Sequence, residues 1–119
     1  QGFLLSATLT LAIAALLADW AYLIARHVQW INFAAWLTVG TAVFAATALL
    51  WATGTALLGR ARGRRGVILV LLLLATLGAS ILDALVHARD GWATMPEGLV
   101  VSAVTIVLAL VATWWGCTR

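Results

Sequence analysis

Val67-Ile68-Leu69-Val70-Leu71-Leu72-Leu73-Leu74-Ala75-Thr76-Leu77-Gly78-Ala79-Ser80-Ile81-Leu82-Asp83-Ala84-Leu85-Val86-His87-Ala88 is a near-continuous apolar run. It is long enough to cross the ~30 Å hydrocarbon core of a bilayer as a helix, which takes ~20 residues. Backbone N–H and C=O groups find no water there, so a helix is the conformation that satisfies them. The run ends in Arg89-Asp90-Gly91-Trp92-Ala93-Thr94-Met95-Pro96-Glu97-Gly98, after which a second apolar run begins. The stretch from Ser80 to Gly98 holds three of the four acids, one of the two histidines and the only proline.

Working outward, the same reading applies to the whole chain. It has 119 residues, 65% hydrophobic and 9% charged, where a soluble domain carries ~25% charged residues. Its mean hydropathy is +1.09. Four helices are expected, over about 3–26, 31–58, 67–88 and 98–115, the second being the longest. Gly2 to Asp19 lacks the basic start of a signal peptide and exceeds its usual apolar length, so it reads as a retained helix. The connections are His27 to Trp30, Gly59 to Gly66 and Arg89 to Glu97, and short connections make neighbours antiparallel. The expected fold is a single all-α, up-down-up-down, integral membrane four-helix bundle spanning 1–119.

The net charge of +3 is not a nucleic-acid footprint. Arg60, Arg62, Arg64 and Arg65 share one loop, and no lysine occurs. Arginines flanking apolar helices set topology and contact anionic lipid. The positive-inside rule places the 59–66 loop and both termini in the cytoplasm, with the 27–30 and 89–97 loops outside. Trp20, Trp30, Trp36 and Trp92 then mark the outer interface, and Trp51, Trp114 and Trp115 the inner one. The Arg-Gly loop lacks the Lys-Ser/Thr and the preceding strand of a phosphate loop. Cys117 has no partner for an internal disulfide and reads as a free thiol, with lipidation as a lesser alternative.

Small residues at a spacing of four mark the expected packing seams: Ser6, Thr10, Ala14 and Ala18; Thr38, Ala42 and Ala46; and Ala75, Ala79, Asp83 and His87. The last seam turns Asp83 and His87 toward the interior, while Leu74, Gly78 and Leu82 form a rival stripe about 100° away.

Ionisable groups inside a bilayer are expensive and mark sites. Asp19 and Asp83 are the candidates for a buried proton-handling role. Asp83 and His87, four apart, share a helix face. Asp19 has Arg26, Asn32 and Trp92 as expected partners, and Asp83 has His87, Arg89 and Arg26. His27 and His87 lie at the same end of helices 1 and 3, the minimum for a bis-imidazole b-type haem, although both sit at the rim rather than deep in the helices. A closed zinc site wants four ligands, and that side has no cysteine. Gly91 allows a turn and Trp92 anchors it; Pro96 and Glu97 suit the first turn of a helix.

The residues Val86-His87-Ala88-Arg89-Asp90-Gly91-Trp92, then Pro96, Gly98-Leu99 and Ser102, resemble a family of small bacterial four-helix membrane proteins catalogued as domain of unknown function number 2231. Members usually carry a further His-Pro near the first helix, which this sequence does not show. The resemblance implies a bacterial inner-membrane location and a neighbourhood of redox proteins, with no established activity. The expectation is a non-catalytic accessory or interaction subunit of a bacterial membrane redox complex. It would sit in the lipid bilayer with a larger membrane-protein partner or as a homo-oligomer, and present Arg89, Asp90, Trp92, Pro96 and Glu97 as its outer contact loop. The alternative is an electron-transfer protein that binds haem b or quinone through His27 and His87. A small channel or transporter using Asp19 and Asp83 ranks below both, because so few polar groups interrupt the helices.

Overall fold

The computed structural model describes residues 2–25, 28–59, 63–87 and 97–117. All of them belong to four helices or their immediate ends: α1 Gly2–Ala25, α2 Val28–Leu57, α3 Arg64–His87 and α4 Glu97–Cys117. All four are long and apolar enough to cross a membrane. The longest is α2, at 30 residues, or about 45 Å at ~1.5 Å per residue.

The ends differ from the sequence expectation by a few residues, and the Arg-Gly loop shows why. Gly59 (φ 82°) and Gly63 (φ 110°) take the left-handed conformation that glycine reaches without a Cβ penalty. Gly59 closes α2, with its N–H donating to the Ala56 carbonyl and Leu58 N–H to Gly54. Gly63 lies just before α3 and accepts from Val67 N–H. Arg64 and Arg65, good helix formers, therefore belong to the first turn of α3 and not to the loop.

Packing runs in a ring. α1 lies along α2 and α4, and α3 lies along the same two helices, so α1 and α3 face each other across a diagonal. The interior is built from small and hydroxyl-bearing side chains. α1 turns inward Leu5, Thr8, Ala12, Ala15, Ala18, Asp19 and Tyr22. α2 contributes Ala34, Thr38, Thr41, Ala45, Ala48 and Ala52, and α4 contributes Ser102, Thr105, Ala109 and Ala112. The buried line of α3 is Leu69, Leu73, Thr76, Ser80, Asp83, Val86 and His87.

These seams correct the spacing-of-four expectation. Asp83 and His87 do face inward, and Leu74 and Leu82 face out. Ala75, however, is exposed and Ala79 half-buried, while Thr76 and Ser80 carry the seam. Ser6 and Thr10 are likewise exposed on α1, and on α2 Ala42 and Ala46 are only half-buried beside buried Thr38. An alternating step of three and four follows 3.6 residues per turn more closely than a fixed step of four.

Most interior hydroxyls are satisfied within their own helix. Thr8 donates to the Leu4 carbonyl, Thr41 to Leu37, Thr76 to Leu72, Ser80 to Thr76 and Thr105 to Val101, at 2.8–2.9 Å. Such back-bonding hides the hydroxyl hydrogen and leaves a slim side chain that lets helices approach closely. The outer surface is the reverse: Leu17, Leu50, Leu71, Leu85 and Val107 each keep more than half of their surface exposed. Each such side chain left in water instead of an apolar medium costs about 1.5–3 kcal/mol, so this surface is suited to lipid.

Candidate functional site

Three helices bring four polar side chains together at the His87 end of the bundle. By helical rise (~1.5 Å per residue), Asp19 is about 9 Å from the Ala25 end of α1. Asp83 is about 6 Å from the His87 end of α3, and Ser102 about 7.5 Å from the Glu97 start of α4. Depths within about 3 Å of one another at the same end of the bundle put the three side chains at one level.

His87 Nε2 lies 2.7 Å from Asp19 Oδ1, across the α1–α3 diagonal. Its Nδ1 lies 2.8 Å from the Asp83 carbonyl and 3.0 Å from Asp83 Oδ1. Ser102 Oγ lies 2.9 Å from Asp19 Oδ2, and 3.1 and 3.0 Å from the two Asp83 carboxylate oxygens. The contacts close a ring: Asp19, His87, Asp83, Ser102 and back to Asp19. Asp19 is fully buried, and Ser102, Asp83 and His87 nearly so. No buried side-chain nitrogen or oxygen among the described residues lacks a hydrogen-bond partner.

The ring has four links, and each needs one hydrogen between its two heavy atoms. Ser102 supplies one, and the imidazole N–H that any histidine carries supplies another. Filling the remaining two links would take two further protons on Asp19, Asp83 and His87. One serves the His87–Asp19 link. The other would lie between Ser102 and a carboxyl, because a single hydroxyl hydrogen divided between Asp19 (2.9 Å) and Asp83 (3.0 Å) in a three-centre bond would leave two buried negative charges facing each other. Two carboxylates plus two protons give no net charge. Hydrogen bonding and desolvation thus favour the same state, since an uncompensated buried charge costs several kcal/mol.

The structure sorts the expected site residues. Asp19, Asp83 and His87 converge. Asp83 pairs with His87 as anticipated, but Asp19 joins His87 and Ser102. His27, Arg26, Arg89, Asp90, Trp92 and Pro96 lie outside the described residues, as do Arg60 and Arg62; Glu97 begins α4. Arg64 is exposed. Arg65 is held against α4: its Nη2 donates to the Trp115 carbonyl (2.9 Å), Trp115 Nε1 donates to the Arg65 carbonyl (3.1 Å), and the guanidinium sits 5.1 Å from the ring centroid.

Both His87 ring nitrogens are engaged by carboxylates, so a haem iron would have to displace Asp19 or Asp83. Among the described residues no group of three or more His, Cys, Asp or Glu is arranged to hold a metal ion. Ser102 is the member that residue-by-residue reading passes over, because serine is ordinary in a membrane helix. Measuring depth from the helix ends would have placed it level with Asp19 and Asp83. Comparison with protein-family models, curated proteins and solved structures finds no match.

Proposed function

We propose that this chain is a non-catalytic accessory subunit of a bacterial cytoplasmic membrane whose working part is a buried, exchangeable proton site. The closed Asp19–His87–Asp83–Ser102 ring carries the reading. Its shared protons lie in an otherwise apolar bundle, close to one end, where they can pass to water or to a neighbouring protein. Arginine placement supports an orientation with the 59–66 loop inside and the ring toward the outer face. The resemblance around residues 86–102 supports a bacterial membrane redox complex as the setting and a larger membrane protein as the partner.

The test is a difference titration of the protein in mild detergent, with co-purifying chains and the visible spectrum recorded on the same sample. Wild type should release one proton more than Asp83→Asn across the titration, in a colourless preparation that retains a stoichiometric partner. Identical proton release would overturn the proton site. A protein that remains alone and monodisperse would overturn the accessory role. A Soret band abolished by His87→Ala would replace both with the haem-binding reading.

A further inference from the structure

Interhelical hydrogen bonds hold α4 at two levels, and the two are chemically different. Near its C-terminal end, Thr113 Oγ1 donates to the Leu5 carbonyl (3.3 Å), and Arg65 and Trp115 each donate from the side chain to the other's backbone carbonyl. Gly116 packs so closely that a Cβ there would lie 2.5 Å from Leu5 Cδ1 and 3.4 Å from Leu69 Cδ1. Nothing in that set exchanges a proton near neutral pH. Near its N-terminal end, α4 is tied to α1 and α3 through Ser102, whose Oγ lies within donating distance of both carboxylates, 2.9 Å from Asp19 and 3.0 and 3.1 Å from Asp83; filling both links takes its own hydroxyl hydrogen and one carboxyl proton. The next hydroxyl, Thr105, turns back onto Val101 of α4 itself.

We infer that α4 reports the protonation of the Asp19–Asp83 pair by pivoting at its 113–116 end. When the carboxyl proton facing Ser102 leaves, the acid O–H bond breaks and its electron pair stays on a carboxylate oxygen. The proton passes to water or to a base at the His87 end. Ser102 Oγ then has one hydrogen for two carboxylates, both within 3.1 Å. One of its two contacts becomes lone pair against lone pair in a medium that screens little. Withdrawal of Ser102 relieves it, carrying the first turns of α4 outward while the clasped end stays in place.

Among the described residues, the titratable groups at this end sit on α1 and α3, with Glu97 at the start of α4. α1 presents Asp19 and, three residues on, buried Tyr22. α3 presents Asp83 and His87. α2 presents Ala34 and Thr38, with no titratable side chain among its described residues. α4 presents Ser102 and Thr105. The lipid-facing side of the mobile part is the apolar groove at Val100, Ala103, Val104, Val107 and Leu108. A partner seated there would feel the pivot.

The inference rests on the proton-site reading, and its test separates the two. Spin labels at Trp36→Cys and Val100→Cys, in a Cys117→Ser background, report α2 against the mobile end of α4. Labels at Leu50→Cys and Leu110→Cys report the clasped end. All four positions are exposed. In bilayers the 36–100 distance should lengthen as pH rises through the proton release seen by difference titration, while the 50–110 distance holds. Ser102→Ala should make the first distance independent of pH, and Ser102→Thr, which keeps the hydroxyl, should restore the response if Ala perturbs folding. Proton release with an unchanging 36–100 distance overturns the pivot and leaves the proton site standing. An unchanged response in Ser102→Ala overturns it as well. Absence of any proton release removes the reading beneath it.

Discussion

The two ends of this bundle are held by opposite means. At the arginine end, Leu5, Ala48, Ala52, Leu69, Leu73 and Ala112 form a buried apolar cluster, with Leu4, Leu49, Val70, Leu72 and Trp115 packed against it. At the histidine end four polar side chains from three helices close a ring. Packing at the first end is non-directional, tolerant of pH and dependent on volume. Bonding at the second is directional and dependent on a proton count. In a bundle of only four helices this division separates a part that only has to stay together from a part that can change state.

The largest effect should come from removing a corner of the ring. Asp19→Ala orphans His87 Nε2 and one Ser102 link, and breaking a buried charged network in this way costs about 3–5 kcal/mol. Thermal unfolding in detergent should show a large loss of stability, with a clearly smaller loss for Asp19→Asn, which retains hydrogen-bonding capacity. Equal losses would mean that volume, not bonding, holds the histidine end.

At the other end, Leu5→Ala should cost about 2–4 kcal/mol, as for a buried leucine that leaves a cavity, by the same assay. Its effect should be the same at every pH, unlike that of Asp19→Asn. A pH-dependent Leu5→Ala penalty would dissolve the distinction between the ends.

A smaller effect is expected from Trp115→Phe, which keeps the ring over Leu5's neighbourhood and removes the indole N–H to the Arg65 carbonyl. About 0.5–1.5 kcal/mol is appropriate to one hydrogen bond, read by the same melting curve. The smallest belongs to Thr76→Val. Its hydroxyl is bonded within α3, so stability should change by less than the ~0.6 kcal/mol that is the average for a hydrogen bond between membrane helices. A larger loss would show that the hydroxyls at mid-bundle bond between helices and extend the polar end inward.

Helix number and length were legible in the sequence because hydrophobic length is read directly off it. Asp83 with His87 was legible because a spacing of four fixes a pair on any helix. The Asp19–His87 link was not. It spans 68 positions and depends on how α1 and α3 are rotated about their axes. A soluble helix announces its rotation through an apolar stripe on a polar background. α1 is apolar on nearly every side, so Asp19 itself is the strongest marker of its inner face. The Ala75–Ala79 seam misplaces the rotation of α3 by a fraction of a turn for the same reason, because nothing in so apolar a helix sets the Thr76–Ser80 stripe apart from the alanine one. Ser102 completes the ring through geometry that only the packed bundle defines.

The ring is fully bonded only when it holds two mobile protons, one of them on a carboxyl facing Ser102. Infrared difference spectra of the protein in bilayers, taken in H2O and in D2O across a pH step, read that proton directly. A carboxylic-acid C=O band is expected that shifts in D2O, diminishes at high pH and is absent from the Asp19→Asn, Asp83→Asn double variant. A wild-type spectrum showing only carboxylate bands at every pH, identical to that of the double variant in the acid region, would contradict it.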